Sequence, residues 1–377
     1  MSTKLSKSNA IKQKQAELAS FIKERIENER ESIKNKNDRA VSTAFVKEQI
    51  AFDEIGKSIG NAFKDKIVPS GYSLKKSKKA IKRIVNVAFS DTHYQTLLTG
   101  QETASKYGPF EEARATAKVI LEAVEFKTQY RDNTKLIIHI FGDIIAGTLH
   151  DLRTGATITE QFAAAVFLLT QAITFAAAHY PTVEVKCTTG NHGRIKARHG
   201  HKLAINQKWD SYESMIYFAI KMAVKDVPNV SVDIPLTPYY TWNAFDKKGF
   251  ITHGDTVLDV GFPSSTIDIK KIRNQVNEWN AGKDKFDLFM VGHVHCGAKV
   301  HLPTGAIFMS NGCLLPPDEY AVAVGHPNTQ CGQWVFESVE GHIVGDSRFI
   351  TINDEVYTDN KLDSIIKPYL GFESPNK

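Results

Sequence analysis

Residues 286–295 read FDLFMVGHVH. A short apolar run gives way to Gly292 and then to two histidines at i, i+2 spacing. A run of this length, bounded by glycine, suits a strand buried on both faces, and the glycine admits a tight turn straight after it. The pattern recurs four times upstream. IVNVAF (84–89) is followed by Ser90-Asp91-Thr92-His93, and LIIHIF (136–141) by Gly142-Asp143. VEVKCTT (183–189) is followed by Gly190-Asn191-His192, and GFIT (249–252) by His253-Gly254-Asp255. Five candidate strand ends therefore present oxygen or imidazole donors.

Working outward, these runs alternate with amphipathic stretches at about 111–128, 159–179, 207–225 and 266–280. The spacing predicts strands over Ile84–Phe89, Leu136–Phe141, Val183–Cys187, Phe250–Thr252 and Phe286–Val291, in an α/β layered domain. Residues 299–309, 333–338 and 342–350 read as further strands, the last two forming a hairpin around Glu340-Gly341. In an open α/β sheet, ligands collect at the carboxyl ends of the strands, so five such ends would bring these donors into one crevice. The i, i+2 pairs Asp91/His93 and His293/His295 let two side chains approach a common centre.

Imidazole mixed with carboxylate and amide oxygen suits Mn, Fe, Zn or Ni better than an all-oxygen Mg or Ca cage, and no thiolate is placed to select softer chemistry. Asp143, with Asp91, His93 and His295 to one side and Asn191, His253 and His293 to the other, forms a ligand set for two ions about 3.5–4 Å apart.

The ordered series DTH, GD, GNH, HG and GHVH resembles the calcineurin-like metallophosphoesterase superfamily over about residues 82–312. Each element alone is common, and the five in order after apolar runs carry the likeness. The resemblance implies a four-layer α/β sandwich, two central mixed sheets flanked by helices. It implies two divalent ions, with manganese the first expectation: Asp91, His93 and His295 at one, Asn191, His253 and His293 at the other, Asp143 bridging. His192 matches the position that protonates the leaving oxygen, while a hydroxide held between the ions attacks phosphorus. The chain departs from phosphoprotein phosphatases, which read GDxVDRG and RGNHE where this one has GDIIAG and TGNHG. Ala146 stands where purple acid phosphatases carry tyrosine and where the DNA-repair exonuclease branch often carries histidine. His150 is a candidate replacement.

A nuclease or DNA phosphatase is the expected activity, with DNA favoured over RNA. A phosphomonoesterase or cyclic-nucleotide phosphodiesterase acting on small nucleotides is the alternative. The stretch from Val185 to Trp209 holds Lys186, Arg194, Lys196, Arg198, Lys202 and Lys208 with no acidic residue, a patch that phosphodiester backbones attract through counterion release. Arg194, Lys196 and Arg198 are the candidate phosphate contacts. This opening after GNH, and the NGCLLPPDEYA segment after GHVH, look like phage-type relatives of DNA-repair exonucleases.

Residues 1–80 carry 18 Lys/Arg against 10 Asp/Glu, a net +8, leaving −3 for the remainder. With apolar positions at helical spacing and almost no Gly or Pro before Pro69-Ser70-Gly71, they read as a basic helical region. DNA contact and self-association through these helices are both open. Residues 81–355 read as the metallophosphoesterase domain and 356–377 as a tail. At 42% hydrophobic and 24% charged over 377 residues, a disordered or collagen-like chain is excluded. Four cysteines without CxxC pairing, and no basic-then-apolar leader, point to the cytoplasm. The apolar window 161–183 reads as a buried crossover helix rather than a membrane span, because Thr170, Gln171, Thr174 and its alanines dilute it.

Other residues take plainer readings. His139, inside LIIHIF, is read as a packed core histidine, and Cys296 as a small buried residue. Tyr239, Tyr240 and Trp242 are read as strand packing rather than base stacking. Asp255 is read as ordering His253, and His199 and His201 as a solvated loop or phosphate contacts.

Overall fold

In the computed structural model the described residues are 80–100, 106–147, 156–195, 208–256, 269–282, 285–323 and 330–370. Of the basic N-terminal region only Ala80 is among them, and His150, Lys196, Arg198, His199, His201 and Lys202 lie outside them. The apolar runs form the strands expected of them. β1 (Arg83–Phe89), β4 (Thr134–Phe141) and β5 (Val183–Thr188) pair in parallel, β5 continues in parallel to β6 (Val230–Asp233), and β12 (Gly332–Ser338) and β13 (Ser347–Thr351) add antiparallel on the other side. The resulting order is β13-β12-β1-β4-β5-β6.

A second sheet runs β10-β11-β9-β8-β7, from β7 (Tyr239–Ala244), β8 (Lys247–Thr252), β9 (Leu288–Val291), β10 (Ala298–His301) and β11 (Ile307–Ser310). A short ribbon, β2 (Leu98–Thr99) with β3 (Lys106–Tyr107), stands apart. Three apolar layers separate four layers of structure. Val85, Val87 and Ile138 pack the first sheet against the helices α1 (Pro109–Glu125), α2 (Ile158–Ala177) and α3 (Tyr212–Ala223). Ile84, Ile137, Met290 and Met309 fill the space between the sheets. Phe250, Phe289 and Phe308 meet Ile272 and Val276 of α4 (Ile269–Trp279). This is the helix–sheet–sheet–helix sandwich expected.

Local chemistry explains the helix starts. α1 begins on Pro109, whose missing N–H costs nothing at a first helical position. Thr157 and Glu160 close a capping box on α2. α2 is long and apolar enough to cross a membrane, but 67% of its apolar window is buried within the domain, so it is a core helix.

Two boundaries differ from the sequence reading. Residues 299–309 form two strands, because Pro303, Thr304 and Gly305 (φ 85°) make a turn between β10 and β11. β7 carries Tyr240 and Trp242 inward and Tyr239 outward, a period-two alternation that strand packing explains. α5 (Glu319–Ala323) precedes β12, and the packed domain continues past residue 355, where α6 (Asp354–Thr358) follows β13. Val356, Tyr357, Leu362 and Ile366 are buried in the main core. Arg114 of α1 fixes this end by hydrogen bonds to Asp363, Asn360 and the Tyr357 carbonyl.

Candidate metal centre

β1, β4, β5, β8 and β9 deliver their carboxyl ends to one face, and each chain turns sharply there. Asp91, His93, Asp143, His293 and His295 all have φ between 43° and 66°. A non-glycine residue in this left-handed region is strained, and such strain gathers at functional sites. Gly142 and Gly190 let the loops after β4 and β5 touch. A Cβ on Gly142 would lie 2.4 Å from the Gly190 nitrogen, and one on Gly190 would lie 2.1 Å from Asp143 Oδ1.

Three groups of donors lie with their ligand atoms within 4.8 Å of one another: Asp91, His93 and His295; Asp143, His253 and His293; and His93, Asp143 and His192. His93 Nε2 is 3.2 Å from His295 Nε2, which is 3.3 Å from Asp91 Oδ1. On the other side His253 Nε2 is 2.9 Å from Asp143 Oδ2 and 3.1 Å from Asn191 Oδ1. Donors at about 2.1 Å from one cation sit about 3–3.4 Å from each other. These edges therefore have the length of a coordination shell. Asp91 and Asp143 are 0% and 1% exposed, and among the described residues neither has a lysine or arginine partner. Buried carboxylates whose charged partners among the described residues are imidazoles alone call for a cation, and the nitrogen and oxygen donors fit divalent transition metals.

The surrounding bonds aim these atoms. Asp143 Oδ1 accepts the amides of Asn191 and His192, both at 2.8 Å, which leaves Oδ2 toward the imidazoles. Asp91 accepts the His293 amide at 3.0 Å. His253 Nδ1–H donates to the Phe141 carbonyl at 2.9 Å, which turns Nε2 inward. Asp255 does not order His253 as expected. It forms a buried ion pair with Lys208, whose side chain is 1% exposed. His192 Nδ1 donates to the Ala146 carbonyl at 2.8 Å, and its Nε2 faces Asp143 Oδ2 at 3.8 Å. Arg194 Nε donates to the Asn191 carbonyl, beside the centre.

Without a metal the charges settle among the ligands. Burial, then His192 and His295, hold His93 well below 6.5. Burial and the neighbouring His253 push His293 down to about 4. Burial opposes a proton on His253, but the Asp143 carboxylate overcomes it and raises this imidazole to about 10. The same contact, against burial, holds Asp143 well below the usual carboxylate range.

Two supports were not legible in the sequence. Glu213, in the first turn of α3, accepts the Ile144 amide at 2.7 Å and the Gly190 amide at 2.6 Å. Burial and the Asp143 charge raise its carboxyl to about 7. Gln333 of β12 accepts the Ser90 amide and donates to the Ser90 and Gly312 carbonyls, fixing the turn before Asp91. The local signal beside Glu213 is Ser211, which caps α3 two residues earlier.

No family model and no curated protein matches the chain. Among solved structures, a dimetal phosphatase from Danio rerio is 11% identical over 72% of this chain and 99% of its own, with a TM-score of 0.37. A predicted phosphoesterase from Streptococcus pneumoniae is 12% identical over 72% and 99%, TM-score 0.28. A 5'-nucleotidase from Candida albicans is 10% identical over 76% and 54%, TM-score 0.31.

Proposed function

We propose that the protein is a dimetal phosphoesterase of the calcineurin-like type, acting on phosphodiester bonds of DNA in the cytoplasm. The observation that carries this reading is the convergence of two donor groups, Asp91/His93/His295 and Asp143/His253/His293, at five strand ends. The first would hold one ion and the second, with Asn191, the other, Asp143 lying between. Two divalent ions would neutralise charge on phosphoryl oxygens and lower the pKa of an attacking water.

The chain's own residues do the rest. Asp143 Oδ1 is saturated by two amides, so its other oxygen is aimed at the centre. His192, with Nδ1 fixed on a carbonyl, presents Nε2 and would give its proton to the leaving oxygen. Arg194 beside Asn191, with Lys196 and Arg198 beyond it, would meet the substrate phosphates. Manganese is the first metal to try, with iron, zinc and nickel as alternatives within the same donor set.

Small nucleotides are the second reading, and one observation favours it. Lys208 is buried against Asp255, Lys186 bonds Asp233 and Arg194 bonds the Asn191 carbonyl, so three of the six basic residues between Val185 and Trp209 already have partners. The test is incubation with manganese and 5'-labelled single- and double-stranded DNA, beside mononucleotides and a cyclic nucleotide, with an Asp143→Asn control. Shortened DNA absent from the control supports the nuclease. Intact DNA with turnover of the nucleotides moves the assignment to the second reading, and no turnover of any ester sinks both.

A further inference from the structure

Gly193 directly follows the Gly190-Asn191-His192 turn, and the space its missing side chain leaves is taken. A Cβ there would lie 2.5 Å from Ser211 Oγ and 2.6 Å from Glu213 Cγ. Ser211 donates to the Gly193 carbonyl at 2.9 Å and accepts the Glu213 amide at 3.2 Å, so the start of α3 is anchored on this turn. Through that opening the Glu213 carboxylate reaches two backbone amides, Ile144 N–H, one residue after Asp143, and Gly190 N–H, one residue before Asn191. Its side chain is fully buried and meets both loops at once.

We propose that Glu213 is a positioning residue for the metal centre, clamping the Asp143 and Asn191 loops in register so that their donors meet at one cation. The assignment rests on the two-metal reading above. A carboxylate suits this task because it has two acceptor oxygens, one for each amide. Glutamine has the same shape with one acceptor and one NH2 group. It would leave one amide facing a donor, and the two loops could not both be held. Losing a partner that orients metal ligands costs roughly 10–100-fold in metal affinity.

The experiment is titration of the metal-free full chain with Co2+, following the visible ligand-field spectrum and heat, for the parent and for Glu213→Gln. Circular dichroism and a thermal melt of each metal-free protein serve as folding controls. The expected result is a folded variant that binds Co2+ roughly 10–100-fold more weakly, with an altered spectrum and, with Mn2+, a lower kcat at similar KM. A folded variant with the parent's Co2+ affinity and spectrum overturns the proposal, even if its melting temperature falls. A parent that takes up no Co2+ overturns the two-metal reading instead. Should Glu213→Gln not fold, Gly193→Ala keeps the carboxylate and pushes on its Cγ. Weakened Co2+ binding in that variant supports the clamp, and parent-like binding overturns it.

Discussion

His139 and His253 are both 0% exposed, yet one lies inside a strand and the other immediately beyond one, and their protons behave oppositely. His139 faces the layer between the sheets, where burial, then Lys186 and Lys135, hold it well below 6.5. Its ring nitrogens meet Tyr240 Oη at 2.8 Å and Asn86 Oδ1 at 2.9 Å. His253 meets a buried carboxylate, which overcomes the same burial and raises it to about 10. Burial with no carboxylate nearby keeps an imidazole neutral, and a buried carboxylate with no lysine or arginine partner among the described residues makes a place for a cation.

Asp143 is the group that separates the two regions, so its removal is the largest perturbation. Asp143→Asn should lower turnover by more than the roughly 100-fold upper range for losing an outer partner, and should release metal measured by elemental analysis after gel filtration. Retained turnover with both ions bound would erase the contrast. His192→Ala comes next, with a rate loss of about 10²–10⁴-fold, the usual range for a general acid, at unchanged metal content. Parent-rate turnover in that variant would remove the acid assignment while leaving the metal site intact.

Proton counting sharpens the comparison without mutation. In the metal-free protein His253 titrates at about 10, above its ordinary 6.5. Its contribution to stability is therefore fully present below about 6.5 and lost as pH rises through about 10. Metal binding needs the neutral imidazole, so Mn2+ affinity should rise with pH over this window. Loading at pH 8 should release close to one proton from this residue and none from His139. Calorimetry in two buffers of different protonation enthalpy reads the total released, to which His295 also adds, because Asp91 overcomes burial and raises its imidazole. A heat independent of buffer would contradict the assignment of the proton to His253.

The strands could be read beforehand because β1, β4 and β9 are buried on both faces, which forces mostly apolar runs, while β5 alternates buried Val183, Val185 and Cys187 with half-buried Glu184 and Lys186. The donors could be read because each follows such a run within a few residues, and all seven converge. β6 (VSVD) and β7 (YYTWNA) were harder, since they lie at sheet edges and alternate polar with apolar. Glu213 lies 23 and 69 residues from the amides it accepts and Gln333 lies 243 residues from Ser90, and a long-range side-chain-to-backbone contact leaves no periodic trace. Asp255 shows the converse error. Its nearness in sequence to His253 suggested a partner, but Lys208, 47 residues away, takes it.

The smallest effect on function belongs to His139, and it tests whether the two regions are independent. Its neighbours fix a one-way chain: Tyr240 O–H donates to Nδ1, Nε2–H to Asn86 Oδ1, and Asn86 Nδ2 to Ser338 Oγ at 2.9 Å. This chain requires the neutral ring, which agrees with its depressed pKa. His139→Phe fills similar space but orphans the Tyr240 hydroxyl and Asn86 Oδ1, at about 1–3 kcal/mol for each. Stability to urea should fall accordingly, while Mn2+ affinity and turnover of the folded protein stay at parent values. The parent also loses stability as pH drops below about 6.5, where only the unfolded His139 takes a proton, and the variant should lack that component. A fall in metal affinity alongside stability would mean that the inter-sheet chain, and not the strand-end loops alone, sets the geometry of the metal centre.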